Sequence, residues 1–108
     1  MLNKELQSKL EIIANHYKYE NQAQQTFEEM AELMVAMNKL RRYGKNQRQT
    51  RINGVMTELA DVIIMANQIA YLLGCQKEVE KEIEYKINRA IRNIEKEESK
   101  WKEKLSMQ

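Results

Sequence analysis

ELADVIIMANQIAYLLG, from Glu58 to Gly74, is almost wholly apolar yet carries Asp61 inside the run. Read as a helix, it shows Leu59, Val62, Ile63, Ile64, Met65, Ala66, Ile69 and Leu72 on nearly every side. A helix that is hydrophobic all round belongs at the centre of a bundle or an oligomer. A carboxylate taken out of water is costly unless it is paired, hydrogen-bonded or bound to a metal. Glu58 and Asp61 stand three residues apart and so project from one face. Two converging carboxylates on a central helix require a cation, and the rest of the chain is read for what shares it.

Just upstream, GKNQRQTRING (Gly44 to Gly54) is polar, basic and without periodicity, and reads as a linker. Lys45, Arg48 and Arg51 either close over an anion or sit in a solvated loop. The central helix is expected to start near Thr50 to Asn53. Before the linker, Gln22 to Tyr43 has helical periodicity, with Asn21 as its expected N-cap and Gly44 as its C-cap. Phe27, Met30, Ala31, Met34 and Met37 form its expected core stripe. On a neighbouring face Gln22, Gln25, Glu29, Glu32, Leu33 and Ala36 line up within about a third of the circumference. An amphipathic first helix is expected from about Leu2 to Tyr17, carrying Leu6, Leu10, Ile13 and Ala14. His16, Tyr17 and Tyr19, in the break between these helices, either line a ligand or pack the junction.

Downstream of Gly74 a fourth helix is expected from near Lys77, with Val79, Ile83, Ile87, Ala90, Ile91 and Ile94 as a clean apolar stripe. Lys86 and Arg89 flank it and point the same way. The charged tail, about residues 96–108, extends that helix and frays.

The 108 residues contain no proline, three glycines and 31% charged side chains, a profile that favours one all-helical domain. A net charge of +2 is too mild to argue for a nucleic-acid partner. Cys75 is the single cysteine, which excludes an intrachain disulfide and a cysteine-based zinc site. The N-terminus has no signal-peptide pattern, and the longest apolar run, interrupted by Asp61, falls short of a membrane span. A soluble, cytoplasmic protein is expected. The fold expected is an antiparallel bundle of about four helices, assembled as a homo-oligomer because three single stripes do not cover the central helix.

Two carboxylate pairs have context as well as spacing: Glu29 with Glu32, and Glu58 with Asp61. Antiparallel packing of their helices would gather all four groups, which repel unless cations neutralise them. An oxygen-only ligand set suits Mg²⁺ or Mn²⁺. Spacing and burial leave open whether a metal or buried Lys and Arg partners do this.

FEEMAEL (Phe27 to Leu33) followed by TELADV (Thr57 to Val62) resembles the EExxE…ExxD signature of the MazG-like, all-α nucleoside triphosphate pyrophosphohydrolases. All five acidic residues fit in order and type: Glu28, Glu29, Glu32, Glu58 and Asp61. KINRAIRNIE (Lys86 to Glu95) resembles that family's basic stretch, although Ala90 follows Arg89 where many members have consecutive arginines. The resemblance covers about Gln22 to Glu95. It implies a Mg²⁺-dependent enzyme that hydrolyses a nucleoside triphosphate to the monophosphate and pyrophosphate, working as a homodimer or homotetramer. By that resemblance Glu29, Glu32, Glu58 and Asp61 are metal ligands, and Glu28 is an outer carboxylate that orients water. Lys86, Arg89 and Arg92 would bind phosphates, and Gln22 and Gln25 a base or sugar edge. The alternatives are a dUTPase-like or phosphoribosyl-ATP-type pyrophosphatase on the same fold, and a non-catalytic helical assembly module.

Overall fold

The computed structural model describes residues 2–43, 45 and 47–107. It is all-helical: α1 (Lys4–Tyr43), α2 (Arg48–Leu72) and α3 (Gln76–Ser106), with no strand among the described residues. Three helices replace the expected four because the break near residue 17 shrinks to a single residue. Lys18 alone leaves helical geometry, at φ 70° and ψ 167°. A side chain rarely adopts that backbone conformation, and holding it costs about 1–3 kcal/mol.

The two helical stretches either side of Lys18 are stitched locally. The side-chain amide of Asn21 donates to the Tyr17 carbonyl at 2.8 Å, supplying a donor where the helix ladder is interrupted. Asn21 therefore serves the end of the first stretch rather than capping the start of the second. His16 and Tyr17 stack edge to face, 4.7 Å between ring centroids. The true N-cap of α1 is Asn3, whose Oδ1 accepts from the Leu6 amide at 2.9 Å.

The chain divides into two compact units, Met1–Cys75 and Gln76–Gln108. In the first, α1 and α2 run antiparallel. Asn15 donates to the Tyr71 hydroxyl at 2.8 Å, Gln22 donates to Gln68 at 2.6 Å, and the Arg51 guanidinium lies 4.6 Å over the Tyr43 ring. Each step forward along α1 is thus matched by a step back along α2. On α1 the buried Gln22 and the partly covered Thr26, Glu29, Leu33, Ala36 and Leu40 recur every three or four residues. That is the seam a facing helix fills.

The expected Phe27 and methionine core stripe is on another face and is exposed, Phe27 at 70% and Met34 at 61%. One partner helix covers one face, and the seam with α2 falls on the more polar one. The buried core is correspondingly small: Leu10, Ala14 and Met65, with Gln22 and Gln68 hydrogen-bonded among them.

α2 starts at Arg48, earlier than expected, so Arg48, Arg51 and Gly54 belong to a helix rather than a linker. It ends as the sequence suggests. Gly74 takes φ 66°, its amide bonds to the Tyr71 carbonyl, and the Cys75 amide bonds to Ala70, both at 3.0 Å. This paired closure is the Schellman motif, which needs the left-handed residue that glycine supplies. The proposed cap at Gly44 lies outside the described residues. At 25 residues α2 is long and apolar enough to cross a membrane, where the sequence expected its apolar run to fall short. Glu58 and Asp61 lie within it, and carboxylates at membrane depth are costly.

The second unit holds α3, which continues unbroken through the charged tail to Ser106. It buries none of its residues. Val79, Ile83, Ile87, Ile91, Ile94, Trp101 and Leu105 are all exposed.

Candidate metal centre

The α1–α2 seam brings carboxylates together because Glu29 and Glu32 sit on the seam side of α1 and Glu58 and Asp61 on that of α2. One carboxylate oxygen each from Glu29, Glu32 and Glu58 lies within 4.8 Å of the others. Asp61 is close enough that its charge bears on Glu29. Glu28 is exposed and stands outside the cluster.

Glu29 is the centre of the electrostatics. The Gln25 amide donates to its Oε1 at 2.8 Å and favours the charged form. Desolvation, the charges of Glu32 and Asp61, and a hydrogen bond with Glu32 oppose that and together hold its pKa above the ordinary carboxylate value. Glu29 Oε2 and Glu58 Oε2 are buried and have no hydrogen-bond partner. Such orphaned acceptors are rare in folded proteins and call for an ion or water to satisfy them.

The donor set fits a hard divalent cation. Mg²⁺–oxygen bonds of about 2.1 Å put opposite ligands about 4.2 Å apart, close to the spread of these three oxygens. Buried salt bridges, the other reading of the pairs, do not form: among the described residues the one ion pair is Lys9 with Glu5, remote in sequence and exposed.

Two of the expected binding residues are engaged elsewhere. Gln22 is buried and its amide is spent on Gln68, so it ties the helices together. Gln25 holds Glu29. Lys86, Arg89 and Arg92 lie exposed on α3, in the other unit, with Arg89 5.5 Å over the Tyr85 ring.

Beside the carboxylates the seam opens into a cleft of about 430 Å³. Ala31, Glu32, Val35, Ala36 and Lys39 line it from α1, and Thr50, Arg51, Gly54 and Glu58 from α2. Arg51 is one of the three basic residues expected either to close over an anion or to sit in a solvated loop, whereas Lys39 carries no such expectation. The signal was present: Lys39 stands seven residues after Glu32 and Arg51 seven before Glu58, two helical turns along the same face. Arg51 stands on α2 rather than in a loop, which fixes it on the cleft. Comparison of the chain with protein-family models, with curated proteins and with solved structures gives no match.

Proposed function

We propose that this chain is a Mg²⁺-dependent nucleoside triphosphate pyrophosphohydrolase of the MazG-like kind, releasing pyrophosphate and a monophosphate from an NTP or dNTP. The observation that carries the reading is the meeting of Glu29, Glu32 and Glu58 around two buried, unpartnered oxygens. The order of acidic residues in FEEMAEL and TELADV supports it independently. When bound, Mg²⁺ (or Mn²⁺) supplies charge neutralisation and Lewis acidity for a phosphoanhydride.

The protein's own residues have separate tasks in this reading. Glu29, Glu32, Glu58 and Asp61 hold the cation. Gln25 fixes the rotamer of Glu29 through its hydrogen bond. Glu28, on the exposed side, acts through water rather than as a ligand. The resemblance assigns phosphate contacts to Lys86, Arg89 and Arg92, which are exposed on α3.

The working form in this proposal is a homodimer or homotetramer. Among the described residues three apolar side chains are buried, few for a chain of this length, and small single cores are marginal. The exposed Phe27, Met30, Met34 and Met37 on α1 and the isoleucine stripe of α3 are the surfaces an assembly would cover. Those same faces favour the second reading, a helical assembly module without catalysis.

A pyrophosphate-release screen over canonical and damaged nucleotides, with Mg²⁺, Mn²⁺ or chelator, tests the proposal. Metal-dependent pyrophosphate release from at least one nucleotide is expected, and the preferred substrate separates the general reading from a dUTPase-like or phosphoribosyl-ATP-type one. No release from any nucleotide, together with a melting curve that Mg²⁺ leaves unmoved, favours the assembly module.

A further inference from the structure

We infer that the cleft next to the carboxylates is a slot for the polyphosphate chain of the substrate, with Lys39 and Arg51 gripping the end remote from the metal; this rests on the metal reading above. The slot is polarised. Glu32 and Glu58 stand at one end, Lys39 and Arg51 at the other, seven residues or about 10 Å along each helix. A bare anion would meet the carboxylates, and a bare cation would leave the basic end unused. A metal-chelated chain of phosphoryl groups satisfies both ends.

Arg51 is already held for such a task. Its guanidinium stacks on Tyr43 at 4.6 Å and donates through Nη2 to Gln47 at 3.1 Å. Its Nε is buried without an acceptor. Among the described residues no carboxylate pairs with Arg51 or Lys39. A stacked, partly bonded guanidinium loses little freedom when it takes a phosphate, which is where arginine surpasses lysine.

Gly54 points the same way. It lies inside α2, where glycine is among the weakest helix formers. Nothing in the fold demands it: its φ is not positive, and a Cβ there would meet no atom within 4 Å. The open space over Gly54 is the floor of the slot, midway between Arg51 and Glu58. A bare backbone there lets the phosphate chain lie close against the helix.

Calorimetric titration with inorganic tripolyphosphate in Mg²⁺, and Mn²⁺ binding without anion followed by electron paramagnetic resonance, test this on the full chain. Arg51→Gln and Lys39→Gln should each weaken tripolyphosphate binding about tenfold. Gly54→Leu should abolish it while melting no lower than the parent. All three should bind Mn²⁺ at least as well as the parent, because none removes a carboxylate. Unchanged tripolyphosphate affinity in Arg51→Gln and Gly54→Leu overturns the inference while Mn²⁺ binding leaves the metal reading standing. A parent chain that binds no Mn²⁺ overturns the metal reading instead. In that protein, tripolyphosphate binding that still depends on Arg51 and Lys39 upholds the slot, and its absence overturns the slot too.

Discussion

In the unit Met1–Cys75, α1 and α2 have weakly segregated apolar faces and nevertheless bury a seam; in Gln76–Gln108, α3 segregates apolar from charged side chains sharply and buries nothing. Ile87 is 58% exposed in the middle of its stripe, whereas Gln68, a polar side chain, is 2% exposed in the α1–α2 seam. The contrast shows that burial follows a partner in matching register more than the apolarity of a face. α1 and α2 answer each other residue by residue, so glutamines and glutamates are drawn inside where they meet. That is how a candidate metal centre arises at a helix seam. The stripe of α3 has the composition for burial and lacks a covering surface within its own unit.

The largest effect expected in the first unit comes from Asp61→Asn. The exchange removes a charge and almost no volume, so the helices should stay packed while metal-dependent turnover falls roughly 100-fold or more. Circular dichroism and pyrophosphate release, measured on one preparation, check both halves. Near-normal turnover at saturating Mg²⁺ removes Asp61 from the ligand set.

For the second unit the informative change is Ile87→Asp. If the α3 stripe is covered by a second copy, the parent should sediment as an oligomer and its melting temperature should rise with protein concentration. The variant should sediment as a smaller species and lose that dependence. Asn88→Asp, one residue off the stripe, serves as the charge control and should change neither property. A parent that is a folded monomer at micromolar concentration would falsify the assembly proposal and leave the two units equal in having no partner.

A smaller effect separates the units by pH. Glu29 has a folded pKa above its ordinary value, so the folded state binds its proton more tightly than the unfolded chain does. Between those two values stability falls as pH rises, and below the ordinary value this group contributes no further change. Metal-free protein should therefore melt higher at mildly acidic pH than at neutral pH. Glu29→Gln should flatten that part of the profile and raise the neutral, metal-free melting temperature, while abolishing metal stabilisation. A parent whose metal-free stability rises steadily from acidic to neutral pH contradicts this account of Glu29.

Much of this was legible in the sequence, for local reasons. Helical content follows from the absence of proline and the three-to-four-residue periodicity, and the stop at Gly74 from the left-handed cap that glycine permits. The meeting of Glu29, Glu32 and Glu58 was readable because i, i+3 spacing fixes a face and antiparallel packing follows from a short connection. What was not legible was pairwise. Phe27 and the methionines outrank Gln22 and Glu29 in apolarity, so a single chain read alone selects the wrong face for the seam. The start of α2 at Arg48, which puts Arg51 on a helix, was missed because loop and helix differ there by only a few polar residues, whose helix propensities are close. The confinement of the break to Lys18 depends on the Asn21 side chain replacing a backbone donor, which spacing does not reveal.

The smallest expected effect concerns that break. Lys18 stands at φ 70° and ψ 167°, in a region that costs a side-chain-bearing residue about 1–3 kcal/mol and costs glycine little. Glycine also loses more freedom on folding, roughly 0.5–1 kcal/mol, which offsets part of the relief. Lys18→Gly should therefore stabilise the chain modestly, by about 1 kcal/mol at most. Lys18→Ala, which keeps the strain and adds helix propensity, should gain nothing from relief at φ. Both ends of the break hold α2, through Asn15 to Tyr71 and Gln22 to Gln68, so a regular helix through residue 18 would have to shift one of these contacts. Urea denaturation of the two variants beside the parent decides the matter. If alanine proves more stable than glycine, continuous helix is accessible at residue 18, and the break is not what sets the register of α1 on α2.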